Sequence, residues 1–199
     1  MISRAFMLAV LASAGAALLP HPFAASLHAQ ALLLPPKLTP AQQHMDDALR
    51  PLRDTVTVAR VALLRLQQDA NSNLSSDQLL GSHARNVAVR CAAAASLWPA
   101  SREAMQKAEL AAEKEPARRE LLQAYDGLKG TLDECEKEFG TMSNQNGAAV
   151  RKDGAKRAER MLYSLQHFNN AAARFAGEAG FRLLPTPPRA PTVAKPASR

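Results

Sequence analysis

The residues of this chain with reactive or ligating side chains are two cysteines, five histidines and one dense run of cations. Cys91 and Cys135 lack the short spacing of a zinc or thioredoxin-type motif, so a Cys–His metal site and a redox switch both fit poorly. No Cys-x-x-Cys-His occurs for covalent haem. A non-covalent haem would draw on Met45 with His44 or His167, yet both histidines fall beside an apolar stripe rather than on it. A paired-metal centre in a helical bundle needs inward Glu-x-x-His sets, and the chain has none. Gly-x-Ser-x-Gly, His-Glu-x-x-His and glycine-rich phosphate loops are likewise missing. The expectation is a protein that is not an enzyme and carries no metal or cofactor. The cations Arg151, Lys152, Lys156, Arg157 and Arg160 are the candidate face for an anion or a partner.

A sequence pI near 9.8 invites a nucleic-acid reading, but the charge is unevenly spread. Five of the positive charges (Arg4, Arg182, Arg189, Lys195 and Arg199) lie at the termini, and removing them from the net +7 leaves about +2 for the centre. The acidic run Asp133, Glu134, Glu136 and Glu138 flanks the same turn as Arg151–Arg160 and can pair with it, though surface pairs of this kind are individually weak. Aromatic residues make up 5% of the chain and fall mainly on core positions, leaving few to stack bases. Nucleic acid is therefore not an expected partner. A protein or an anionic cell-envelope component is, through the Arg151–Arg160 face or the tail cations Arg182, Arg189, Lys195 and Arg199.

The first thirty-odd residues are an address. Arg4 precedes an apolar run from Phe6 to Leu19, and Ala29-Gln30-Ala31 supplies small residues for cleavage after Ala31, or else after Ala29. The run is too short for a membrane anchor, which needs about 20 apolar residues, and no later segment is long and apolar enough to span. The mature chain is expected in a periplasm or outside the cell, where an even pair of cysteines points to a disulfide.

The elements that position these residues follow from apolar spacing. Four stretches keep an unbroken 4-3 rhythm: Met45, Leu49, Leu52, Val56, Ala59, Leu63, Leu66, Ala70; then Leu80, Ala84, Val87, Cys91, Ala94, Trp98; then Tyr125, Leu128, Leu132, Cys135, Phe139, Met142; and Met161, Leu165, Phe168, Ala172, Phe175, Ala179. A mean step of 3.5 holds each stripe against neighbours at shallow angles. The fold class is all-α, an antiparallel up-down-up-down four-helix bundle over residues 32–181, with an extended proline-rich tail over 182–199. Helices are expected over about 40–70, 76–114, 117–142 and 148–178. Thr39-Pro40-Ala41-Gln42 forms a capping box, and Pro51 and Pro99 fall inside helices one and two as kinks. Cys91 and Cys135 lie at similar heights in the hairpin of helices two and three, within about 5 Å at 1.5 Å per residue. Ala92–Ala95 allow the close approach that a disulfide requires.

Leu38-Thr39-Pro40-Ala41-Gln42 resembles the LTxxQ motif of small periplasmic stress chaperones. The same letters also arise from a leucine followed by a capping box. The resemblance implies an exported helical protein that binds unfolded clients. Three functions follow in order: a non-enzymatic binding or structural module of the cell envelope, a periplasmic chaperone with a client groove at its proline kinks, and a haem-carrying bundle. The oligomeric state is not fixed by these features.

Overall fold

The structure is a computed structural model that describes residues 37–183, residue 146 excepted. The expected signal peptide and the tail residues Arg189, Lys195 and Arg199 lie outside the described residues. Four long helices, α1 (Pro40–Ala70), α2 (Asp77–Lys107), α3 (Glu115–Ser143) and α4 (Ala155–Ala179), form an all-α bundle in which each packs on two neighbours. A short 3₁₀ turn (Ala112–Lys114) leads into α3, and a π-helical turn (Val150–Gly154) leads into α4.

The 4-3 stripes become the core. Every stripe residue of α1, α3 and α4 is buried, and so are those of α2 up to Ala94. Trp98 is only half-buried, because its indole Nε1 reaches out to donate to the backbone carbonyl of Tyr125 at 2.8 Å. The helices run through Pro51 and Pro99 as continuous elements.

The second helix ends earlier than its apolar phase implies. It stops at Lys107, with Ala108 extended at φ −60°, ψ 130°, instead of reaching residue 114. Arg118 from α3 donates to the carbonyls of Gln106 and Ala108, satisfying groups that a longer helix would have bonded internally. The chain then folds back with Leu110 against the core. The helices α1 and α2 are thus both 31 residues long, so α2 has no overhanging end.

Both ends of the bundle are tied by side chain to backbone. At one end Gln42 serves two helices at once. Its Oε1 accepts from Thr39 N–H (2.9 Å) while Thr39 Oγ1 caps Gln42 N–H (3.2 Å). Its Nε2 donates to the carbonyls of Ala179 and Gly180 at the end of α4. Gly180 holds φ +83°, where a Cβ would also stand 2.8 Å from that Nε2. Phe181 follows it into the core, edge-on to Phe175, and Leu183 gives its carbonyl to Arg53 Nη1 at 2.7 Å. The ordered packing therefore continues past residue 181, onto α1.

At the other end Gly147 (φ +79°) lies so close to Asp77 that a Cβ would collide with its carbonyl at 1.8 Å. Arg151 completes that junction. Its Nε donates to the Asp77 carboxylate (2.9 Å), and its two Nη groups reach the carbonyls of Ser72 and Ser75.

Candidate functional site

The two cysteines meet as expected. Cys91 and Cys135 sit on facing core stripes, fully buried, joined at 2.05 Å with Cα atoms 6.1 Å apart. Ala84, Ala88 and Ala94 keep α2 slim on this side, and the bond joins residues 44 apart in sequence. A disulfide sealed inside a core and lacking a second thiol among the described residues is suited to holding α2 on α3.

The cationic run divides into three roles. Arg151 points away from the others and serves the loop junction described above. Arg157 and Arg160 turn toward α3, where Arg157 pairs with Glu138. Arg160 lies 3.7 Å from Glu134 and 3.8 Å from Glu138. Asp133 pairs instead with Lys129, one turn away on its own helix, so the expected pairing of the two runs is partial. Lys152 and Lys156 are exposed, and neither has a carboxylate within 4 Å among the described residues.

Lys156, Arg157 and Arg160 line one cleft with Glu138 and Asp153, about 390 Å³ in volume. Glu138 is its acidic wall: one carboxylate oxygen is held by Arg157. The other is buried without a hydrogen-bond partner among the described residues. Arg157 and Arg160 are drawn to Glu138 and Glu134, whereas Lys156 has no carboxylate within 4 Å among the described residues. With Lys152 beside it in sequence, the surface suits an anionic group more than an apolar one.

The histidines named for haem do not converge. His44 is exposed, and His167 lies on the outer surface, stacked on Tyr163 at 6.4 Å. Met45 is buried among apolar side chains. Among the described residues no group of three or more His, Cys, Asp or Glu converges as a metal site. His83 is largely enclosed, with Nδ1 2.9 Å from Asp69. Arg182 is exposed.

Two buried polar groups escape a reading by stripes. Ser101 Oγ lies 2.6 Å from Tyr125 OH inside the core, and burial raises the Tyr125 phenol well above its ordinary value of 10.0. Asp46, next to Met45, is buried against Arg50 on the next turn. The Asp-x-x-x-Arg spacing was the available signal for the second. Ser101 holds the stripe position between Trp98 and Met105, but a serine interrupts the apolar run, so spacing alone does not announce its bond.

No family model, curated protein or solved structure matches this chain. Among the described residues no helix is long and apolar enough to cross a membrane.

Proposed function

We propose that this protein is an exported, non-enzymatic binding module of the cell envelope that takes an anionic component on the surface formed by Lys152, Lys156, Arg157 and Arg160. The observation that carries the reading is the Lys156–Arg157–Arg160 cleft, in which the exposed Lys156 has no carboxylate within 4 Å among the described residues. The buried disulfide supports the exported compartment, since such bonds persist where the surroundings oxidise. The basic segment beginning at Arg182 would add long-range attraction without desolvating a core.

The test is binding of the mature chain to an acidic polysaccharide and, separately, to vesicles rich in anionic lipid, at low and high salt. Replacing Lys152, Lys156 and Arg160 together by Gln removes three exposed charges, of which only Arg160 lies near carboxylates, those of Glu134 and Glu138. Affinity for the favoured anion should fall at least about tenfold at low salt, and the salt dependence should flatten. Binding unchanged by the triple substitution but lost on deleting residues 185–199 would move recognition to the tail. Absence of binding to either probe would remove the reading.

A further inference from the structure

The cationic surface does not end at Arg160. Lys156, Arg160, Tyr163, His167, Asn170 and Arg174 follow one another along α4 at 4-3-4-3-4 spacing; all six are exposed and none is acidic. Lys156 and Arg174 are 18 residues apart, which is five full turns, so they share one face about 27 Å long at 1.5 Å per residue. Near its middle stands Tyr163, 79% exposed. Every other Phe, Tyr and Trp among the described residues is buried or half-buried. The ring of Tyr163 lies within 5° of parallel to that of His167, their centroids 6.4 Å apart, so the two rings face the same way. The neighbouring flank of α3 is low. Ser164 Oγ donates to the carbonyl of Gly127 at 3.4 Å, and a Cβ at Gly127 or Gly130 would meet nothing within 4 Å. The arginines on either side of the rings are steadied from α3, Arg160 near Glu134 and Glu138, and Arg174 on Glu120 at 2.7 Å. A guanidinium has five N–H donors, so these contacts leave donors over for a ligand.

We propose that the anionic component is an acidic polysaccharide, bound lengthwise on α4 with a sugar ring against Tyr163 and His167. The inference rests on the anion-binding reading above and names the ligand of that same surface. The C–H face of a pyranose packs on the electron-rich face of an aromatic ring. Acid groups on the sugars to one side then meet Lys156 and Arg160, and those to the other side meet Arg174. The Asn170 amide, between the rings and Arg174, is placed for sugar hydroxyls. An anionic bilayer fits this face less well. Of the exposed large apolar side chains among the described residues, Tyr163 alone lies on α3 or α4, so the face has no apolar cluster to insert between lipids. Single-stranded nucleic acid also combines cations with stacking, but it uses a platform for each successive base, and this stripe has one.

Titration calorimetry of the mature chain against oligogalacturonates of increasing length, phosphatidylglycerol vesicles and oligothymidylate tests the proposal. Affinity for the oligogalacturonates should rise with their length. Tyr163→Ala should lower it about tenfold. The salt dependence should stay as it was, because no charge is removed. Tyr163→Phe should keep most of the affinity, and melting should be unchanged in both variants, since the site is exposed. Arg174→Gln should weaken long oligomers more than short ones. Oligogalacturonate binding that is lost in the triple Gln variant but indifferent to Tyr163→Ala would overturn the polysaccharide site while leaving the cleft reading in place. Binding to the vesicles alone, or tighter binding of oligothymidylate than of oligogalacturonate, would overturn it as well. A chain that binds none of the probes would remove both readings together.

Discussion

Phe168 and His167 are neighbours in sequence and opposites in the fold. The ring of Phe168 is fully buried edge-on to Tyr125 at 5.1 Å, whereas His167 lies outside. Phe168→Ala should cost about 3–5 kcal/mol through lost transfer energy and a residual cavity. His167→Ala should cost less than about 1 kcal/mol. Chemical denaturation of the two variants compares them directly, and equal losses would mean that α4 is rotated. This contrast was legible in the sequence, because the 4-3 rhythm fixes which side of a helix faces inward. The Ser101–Tyr125 hydrogen bond was not, because a stripe read from apolar residues passes over a serine at one of its positions. It has a consequence at high pH. The Tyr125 phenol resists ionisation in the folded chain and ionises near 10 when unfolded, so the unfolded state loses that proton first. Stability should therefore decline as pH rises above about 10. Tyr125→Phe should flatten that decline in urea titrations while costing about 1–2 kcal/mol at neutral pH, through the Ser101 hydroxyl left buried.

At the level of elements, the disulfide was legible because heptad phase and hairpin height both pointed to it. Replacing Cys91 and Cys135 together by Ala should leave helical circular dichroism largely intact and lower stability by about 2–5 kcal/mol. The end of α2 was not legible, since Met105, Ala108 and Ala112 continue the apolar phase. What stops the helix is tertiary: Arg118 claims the terminal carbonyls. The role of Arg151 was hidden for a similar reason. It sits in a basic run whose acidic counterpart is close in sequence, yet its partners are Ser72 and Ser75 of the loop before α2 and Asp77 at the start of that helix, far along the chain. Arg151→Ala should cost about 1–2 kcal/mol and speed hydrogen exchange across residues 71–76, with little effect on anion binding. A loss of binding equal to that of the triple Gln variant would return Arg151 to the binding surface. Gln42 likewise shows how a capping box, read locally, can also hold a distant helix end.

For the whole molecule, the four stripes were enough to specify the bundle, while the proposed function rests on surface chemistry that spacing encodes weakly. Truncation after Leu184 keeps Phe181 and Leu183, which make the packed contacts, so melting should shift by less than about 3 °C. The claim on which the rest depends is that the mature chain is an exported bundle closed by Cys91–Cys135. Intact-mass measurement of the protein recovered from its own cells tests it most directly. The expected species begins after Ala31 or Ala29 and is two hydrogens lighter than the dithiol form. A species retaining Met1, or one with two free thiols, would contradict it.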